Sequence, residues 1–232
     1  MRYAAVFFDA GETLVHPQPT FPDLFARILR EQGHDVDAET VRERVHVVFD
    51  RFKRAADTNE LWTTTPERSR VFWHDVYGVF LADLGISDGD GLVDRVYAAF
   101  TDLANYVAFE DVPPVLETLL DAGLELGVVS NFEEWLERLL EELGMRHYFR
   151  VRVISGIEGM EKPDPRIFRL AMERAGVRPE ESVYVGDNPV FDIGPAADVG
   201  MFPVLIDRRG RFPDADGTRI TSMAQLPGVL GL

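Results

Sequence analysis

The stretch "FFDAGETLV", residues 7–15, decides how this chain folds, because it places a carboxylate directly after a run of apolar residues. Residues 3–8 are all apolar or aromatic, which is typical of a buried strand. Asp9 then stands at the carboxyl end of that strand. A polar side chain at such a position either caps a following element or belongs to a binding site.

The same pattern, a short apolar run that ends in polar or turn residues, recurs later in the chain, at residues 124–131, 149–156, 182–187 and 202–207. Between these runs, residues 111–123 and 164–176 each start with Asp, continue with proline and end at glycine, which indicates a helix. Alternating strands and helices predict an α/β fold with a doubly wound, mostly parallel, Rossmann-like sheet. Ligands of such sheets bind beyond the carboxyl ends of the strands.

The part of the chain from about residue 20 to residue 105 has a different pattern, because it shows helical periodicity and no convincing strand. Helix starts are indicated at Thr20, Asp37, Thr65 and Leu92. We therefore predict an all-helical domain at residues 17–106, inserted into a core formed by residues 1–16 and 107–232. Near the end of the chain, the Pro-, Asp- and Gly-rich residues 208–218 predict a surface loop before a last short element.

Composition excludes several classes of function. The 232-residue chain has a formal net charge of −16 and no cysteine, so disulfides, thiolate metal sites and cysteine nucleophiles are excluded. The negative charge argues against nucleic acid and anionic membranes as partners. We find no leader pattern and no apolar stretch of the roughly 18 residues that a membrane span needs. We expect a soluble, cytoplasmic protein, monomer or homodimer, that acts on a small molecule.

Polar residues stand at or just beyond the ends of the predicted strands: Asp9, Ser130 with Asn131, Lys162, and Asp187 with Asp192. Each has an ordinary explanation when it is taken alone, such as a helix cap or a solvated loop residue. The predicted fold brings all of them to one crevice, which favours a common site. Lys162 is also one of only two lysines in the chain, the other being Lys53.

These four segments, "FFDAGETLV", "LGVVSN", "EKPDPRIF" and "VGDNPVFD", resemble in their order the motifs of the haloacid dehalogenase superfamily. Those motifs are a strand ending in D-x-D-G-T, a strand ending in Ser or Thr, a loop lysine, and an acidic G-D-x-x-x-x-D. The resemblance covers the whole core and implies that the helical insertion is the α-helical cap of that family. It does not select a substrate, because the family includes phosphatases, dehalogenases, phosphonatases and mutases.

The residue types fit the roles that the resemblance implies. Asp9 is the candidate nucleophile, which attacks phosphorus to give a covalent aspartyl intermediate. Magnesium is the expected cofactor, with Asp9, the backbone carbonyl of Gly11, Asp187 and Asp192 as its candidate protein ligands. Ser130 and the backbone amide of Asn131 are expected to donate hydrogen bonds to the transferring group. Lys162 is expected to neutralise Asp9 and the phosphoryl oxygens, so the candidate catalytic residues are Asp9, Ser130 and Lys162.

The chain departs from the family at Gly11, where the phosphatases have a second Asp that protonates the leaving group. Glu12 departs too, because the family usually has Gly there. Four explanations stay open: Glu12 or His16 replaces the acid, the substrate has a good leaving group, the reaction is that of a dehalogenase or phosphonatase, or the protein only binds a phosphate and Mg²⁺. The acidic pair of the last motif disfavours a dehalogenase, and Lys53 is the only lysine that a phosphonatase could use in the cap.

Substrate specificity in this architecture is expected to come from the helical insertion. Residues 59–70 are its most polar interruption, and Arg68 is a candidate contact for an anionic substrate. Together these features predict a Mg²⁺-dependent phosphatase of a small phosphorylated metabolite, with weak activity on unactivated esters because the acid at Gly11 is missing.

Overall fold

The structure of the chain is a computed structural model that describes residues 2–58, 60–89 and 91–232. The chain forms two compact units, one made of Met1–Val15 with Ala108–Leu232 and the other of His16–Val107. The sequence predicts both boundaries one residue away from these positions. The assignment of the two units as a catalytic core and a cap stays a prediction.

The strands of the described residues are β1 Ala5–Phe8, β2 Val15–Pro17, β3 Tyr106–Ala108, β4 Glu125–Ser130, β5 Val151–Ile154, β6 Ser182–Gly186, β7 Phe202–Ile206 and β8 Thr218–Ile220. Within the described residues, six of them form one sheet in the order β5-β4-β1-β6-β7-β8, and every neighbouring pair is parallel. The chain first winds from β1 toward β5 and then returns to wind from β6 toward β8. This is the doubly wound α/β fold that the sequence predicts.

The strand register shows which residues meet at the carboxyl end of the sheet. Phe8, the last residue of β1, pairs with Val128 of β4 and with Val185 of β6. Asp9 therefore leaves the sheet between the end of β4, which is Ser130, and the loop that follows β6. A switch between the two winding directions lies at this position, where ligands of open α/β sheets bind.

The helices of the described residues are α1 Phe21–Glu31, α2 Ala38–Arg44, α3 His46–Thr58, α4 Pro66–Asp83, α5 Leu92–Phe100, α6 Val112–Asp121, α7 Leu136–Glu142, α8 Ser155–Glu158, α9 Pro165–Ala175, α10 Gly194–Asp198 and α11 Leu226–Leu230. In the first unit, the apolar face of α9 packs on the central strands in one buried cluster. All four residues of β1 are buried, as expected for a strand of a parallel sheet that is covered on both faces.

The second unit contains α1 to α5 around its own apolar core. Two of its predicted helix starts are capped as expected, because Asp37 accepts the backbone N–H of Thr40 and Thr65 accepts that of Arg68. One prediction needs correction: the periodicity after Asp37 indicates one helix, whereas α2 ends at Arg44 and α3 starts at His46. Among the described helices, none combines the length and the apolar character of a membrane span.

Two further predictions about the first unit were incomplete. Asp111 precedes α6 but makes no capping bond, because its Oδ2 instead accepts Arg208 Nη1 at 2.9 Å and Ser222 Oγ at 2.6 Å. The last short element is in fact the edge strand β8 followed by α11. Asp111 thus ties the C-terminal segment to the core, which no local sequence pattern indicates.

Candidate active site

Asp9 is held at the end of β1 by its neighbours on both sides. Its backbone N–H donates to Val185 O at 2.9 Å, so the residue still follows the register of β6. Its Oδ1 accepts Ser130 Oγ at 2.9 Å and Lys162 Nζ at 2.7 Å. Within the described part of the chain no hydrogen bond reaches Oδ2, although the residue is only 8% exposed. The carboxylate is therefore oriented through one oxygen and keeps the other available.

Lys162 is a buried cation that joins the strand ends. It is 2% exposed, and its Nζ donates to Asp9 Oδ1, to Asp192 Oδ1 at 2.6 Å and to Tyr184 Oη at 3.0 Å. Although burial opposes the charged form, the carboxylates of Asp192 and Asp9 raise the pKa of Lys162 above its ordinary value. The ammonium group thus uses all three of its protons in the site.

Asn131 fixes the position of Lys162 through the backbone. Its Nδ2 donates to Lys162 O at 2.8 Å, and its Oδ1 accepts Lys162 N at 2.7 Å. The sequence predicts a different role for Asn131, donation from its backbone amide to the substrate, and that role stays a prediction. The side chain adds a positioning function that the sequence did not indicate.

The acidic pair after β6 is arranged by one turn of π-helix at Pro189–Ile193. Asn188 Oδ1 accepts the backbone N–H groups of Val190 and Phe191, and Asn188 N donates to Asp192 Oδ2 at 3.0 Å. A Cβ atom on Gly186 would lie 2.4 Å from Cγ of Asp192, so only glycine lets that carboxylate approach the strand end. The turn therefore returns Asp192 to the side of Asp187.

Three carboxylates meet at this position and form a candidate cation site. Asp9, Asp187 and Asp192 each offer an oxygen, and these oxygens lie within 4.8 Å of one another. Burial, together with the charges of Asp192 and Asp9, raises the pKa of Asp187 to about 8, against the opposing effect of Arg211. Burial also raises the pKa of Asp192, with Lys162 acting in the opposite direction. A cluster of hard oxygen donors of this kind fits a cation such as Mg²⁺, which would displace the proton that the raised pKa values favour.

The predicted residues Asp9, Ser130, Lys162, Asp187 and Asp192 therefore lie together, in the order of strands that the family motifs require. A family model described as haloacid dehalogenase-like hydrolase matches residues 3–200. The chain belongs to this family. It is accordingly a hydrolase.

Relatives of this haloacid dehalogenase-like hydrolase include named enzymes. Haloacid dehalogenase-like hydrolase domain-containing protein 3 of Mus musculus is 31% identical over 204 residues, 86% of this chain and 80% of that protein. The glyceraldehyde 3-phosphate phosphatase of Methanopyrus kandleri is 39% identical over 145 residues, 60% of this chain and 61% of the phosphatase. Phosphatases and dehalogenases both occur among the similar proteins.

A solved structure confirms the shared fold. The HAD-hydrolase YfnB of Bacillus subtilis, determined with bound magnesium, is 17% identical and superposes with a TM-score of 0.80, covering 100% of each chain. At this identity the comparison concerns the fold alone.

The first motif of this haloacid dehalogenase-like hydrolase departs from the family at Gly11 and Glu12. Glu12 has φ 56°, the left-handed region that explains why the family usually has Gly at this position. Its carboxylate lies 2.8 Å from Arg209 Nη2. This ion pair turns Glu12 toward the loop after β7. Gly11 itself has no such constraint, and among the residues that the structure describes a Cβ atom there would meet only Phe132 Cε2, at 4.0 Å.

The loop after β7 contributes residues that sequence reasoning missed. Asp207 is buried and accepts the backbone N–H groups of Arg211 and Phe212, which folds the loop back toward the site. Arg211 Nη2 then donates to Asp187 Oδ2 at 2.8 Å. The prediction of a surface loop at residues 208–218 was thus wrong for Arg208 and Arg211, which are partly buried. The position of Asp207 at a strand end was the signal that could have found this loop.

Tyr184 is the other residue that the sequence analysis missed. It lies in the middle of β6, fully buried, and its hydroxyl donates to Val129 O at 2.8 Å while it accepts Lys162 Nζ. Burial and the neighbouring carboxylates raise the pKa of Tyr184 far above its ordinary value, so the phenol stays neutral. A buried Tyr in an otherwise apolar strand needs a hydrogen-bond partner, which was the available signal.

The remaining candidate residues belong to the second unit. Arg68 is exposed in the first turn of α4, and its role as a substrate contact stays a prediction. Asn59, at the start of the polar segment 59–70, lies outside the described residues. Lys53 is exposed and pairs with Asp57 at 2.6 Å, which is an ordinary helix-surface contact. His16 belongs to the same unit and contacts Pro17 O through Nδ1 at 2.9 Å.

Replacing Asp187 by asparagine is expected to stabilise the metal-free protein at alkaline pH. The folded-state pKa of Asp187, about 8, lies above the value of about 3.9 in an unfolded chain. The native protein therefore holds a proton that the unfolded chain releases, and its free energy of unfolding falls as the pH rises between these values. In EDTA, the melting temperature of wild type should fall by roughly 5 °C more than that of Asp187→Asn between pH 6 and pH 8.5. If the melting temperatures of the two proteins change equally with pH, the raised pKa of Asp187 is contradicted.

Proposed function

We propose that the protein is a Mg²⁺-dependent phosphatase of a small phosphorylated metabolite that works through an aspartyl-phosphate on Asp9. One observation carries this proposal: Ser130 and Lys162 hold Oδ1 of Asp9, and the same carboxylate belongs to a cluster with Asp187 and Asp192 that suits a cation. A carboxylate that is both oriented and partly neutralised is suited to covalent catalysis.

In the proposed reaction, an oxygen of Asp9 forms a bond to phosphorus and the bond between phosphorus and the leaving oxygen breaks. Ser130 and Lys162 donate hydrogen bonds that hold the carboxylate and balance charge on the transferring group. Water then attacks phosphorus of the aspartyl-phosphate and releases inorganic phosphate and free Asp9. Arg211 and Tyr184 act as positioning residues, because they contact Asp187 and Lys162 respectively.

Magnesium, when bound, would offset the negative charge that otherwise separates a phosphate ester from Asp9. Asp9, Asp187 and Asp192 are the side chains that would hold it, with the backbone carbonyl of Gly11 as a further proposed ligand. Asp192 already accepts bonds from Lys162 and from the backbone of Asn188, so its orientation is fixed by the protein. A compartment in the cytoplasm and a monomeric or homodimeric state remain part of the proposal.

The missing acid limits the substrates that we propose. General acid–base catalysis contributes roughly 10²–10⁴ in rate, and Gly11 has no side chain to supply it. Glu12 is paired with Arg209. This pairing favours a structural role for Glu12 and argues against Glu12 as a substitute for the general acid that Gly11 lacks. We infer weak activity on unactivated phosphomonoesters and better turnover of substrates whose leaving group needs no proton.

The alternatives are a dehalogenase, a phosphonatase and a protein that binds phosphate and Mg²⁺ without turnover. The acidic cluster weighs against a dehalogenase, since attack on a carbon–halogen bond has no need of a cation site. The exposed, paired Lys53 weighs against a phosphonatase, which would need a lysine for a Schiff base. Only a measurement of turnover separates the phosphatase from the silent binder.

The test is a screen of wild type and Asp9→Asn, with Mg²⁺ and with EDTA, against acetyl phosphate, p-nitrophenyl phosphate and a panel of sugar and nucleotide phosphates. We expect turnover that requires both Mg²⁺ and Asp9 and that favours the two activated substrates. Full activity of Asp9→Asn, or turnover that survives chelation, would overturn the mechanism. Turnover of 2-haloacids alone would favour the dehalogenase.

A further inference from the structure

The space beside Gly11 is bordered by an aromatic ring. A Cβ atom built on Gly11 would have Phe132 Cε2, at 4.0 Å, as its only non-neighbouring contact within 4 Å among the described residues. In the phosphatases of the family this direction carries the acid that protonates the leaving group. In this chain the leaving group would therefore lie next to the edge of the Phe132 ring, where the family phosphatases have the carboxylate of the second Asp.

Phe132 is fixed from its backbone. Its N–H donates to Ser155 Oγ at 2.9 Å, and its carbonyl accepts Gly156 N and Ser155 Oγ, each at 3.0 Å. A Cβ atom on Gly156 would lie 3.0 Å from Phe132 O and from the backbone of the next two residues, so the two loops are in close contact. The loop that carries Phe132 cannot shift without breaking these contacts.

The ring of Phe132 is fixed as well. It packs edge-on against Trp135, with 4.5 Å between ring centroids and an angle of 72° between the planes. Phe132 is half-buried, so part of the ring remains accessible. A rigid, partly accessible aromatic surface is the kind of group that selects apolar and aromatic ligands at little entropic cost.

We propose that Phe132 is a specificity-determining residue and that the site prefers phosphorylated substrates with an aromatic, acidic leaving group, such as an aromatic acyl phosphate. This inference rests on the proposed function. Such a leaving group departs without a proton, which suits Gly11, and its ring packs on Phe132. A sugar in the same place would leave hydroxyl groups against the ring without partners, which lowers its binding.

The experiment compares benzoyl phosphate with acetyl phosphate, because their leaving groups have similar acidity and differ in the aromatic ring. We expect wild type to favour benzoyl phosphate by about tenfold or more in kcat/KM. In Phe132→Ala that preference should disappear, mainly through a higher KM for benzoyl phosphate. Phe202→Ala, at the amino end of β7, is the control and should keep the wild-type ratio. An unchanged ratio in Phe132→Ala, or no preference in wild type, overturns the inference.

Binding measurements separate this inference from the proposed function. Benzylphosphonate and methylphosphonate cannot be hydrolysed, and their calorimetric affinities for wild type and Phe132→Ala need no turnover. Tighter binding of benzylphosphonate that depends on Phe132 supports the aromatic site even when no phosphate is hydrolysed, in which case only the proposed function fails. Equal affinities for the two phosphonates in wild type overturn the aromatic site.

A second variant, Gly11→Ala, adds a methyl group in the space between Gly11 and Phe132. It should lower the ratio of benzoyl phosphate turnover to acetyl phosphate turnover.

Discussion

Lys162→Met is expected to lower kcat by roughly 10²–10³-fold or more and to lower the free energy of unfolding by about 3–5 kcal/mol. Both effects have one cause. Lys162 is buried and bonds to Asp9 and Asp192, so its removal leaves two buried carboxylates without their cation. The activity falls because Asp9 loses the partner that orients it.

The measurement combines thermal unfolding with kinetics. The melting temperature should fall by about 10 °C at pH 8 and by less at lower pH, because burial raises the pKa of Asp192 and a proton on that carboxylate replaces part of the lost charge. The matched control is Lys53→Met, the other lysine, which is exposed and pairs with Asp57 at i+4; it should leave the melting temperature almost unchanged. Equal effects at the two lysines would refute the role of Lys162.

Gly11→Asp is expected to raise kcat/KM for unactivated phosphomonoesters by roughly 10²-fold, because it restores a general acid at the leaving group. The first added atom has room, since in the described part of the chain it would meet only the edge of Phe132, at 4.0 Å. Turnover of acetyl phosphate should change much less, because its leaving group needs no proton. The variant therefore acts on one class of substrate.

The check is the dependence of the rate on leaving-group pKa across a series of aryl and alkyl phosphates. Wild type should show a steep dependence and Gly11→Asp a flatter one. Gly11→Asn is the control, because it has the same shape and no acidic proton. If the two variants behave alike, or if wild type already shows a flat dependence, another residue supplies the proton and the interpretation of Gly11 is wrong.

The doubly wound fold was predictable because local patterns and topology agree. The apolar run before Asp9, the helix at residues 164–176 and the polar strand ends are all features of short segments. In a doubly wound α/β fold the parallel strands bring the carboxyl ends of such segments to one edge of the sheet, whatever the strand order. For this reason Asp9, Ser130, Lys162, Asp187 and Asp192 could be assigned to one site before their distances were known.

The sequence does not reveal contacts between distant segments whose residues have ordinary local roles. Arg211 looks like a solvated loop residue until Asp207 folds its loop back to Asp187. Tyr184 reads as one more apolar residue of β6, although its hydroxyl bonds to the buried ammonium. Asp111 has the position of a helix cap but binds the C-terminal segment. In each case a long-range partner outweighs the local preference.

The central position of β1 in the sheet has a consequence for how the chain acquires its structure during synthesis. Asp9 leaves the ribosome before the residues that bond to its carboxylate, Ser130 and Lys162, which follow 121 and 153 residues later. The helical unit lies between them in sequence and forms its own core from contacts among its own residues. Contacts so far apart in sequence form slowly, and an apolar strand without its neighbours is prone to aggregate. The strand that precedes Asp9 is therefore made before both of its neighbours in the sheet, β4 and β6, and is enclosed only after they follow.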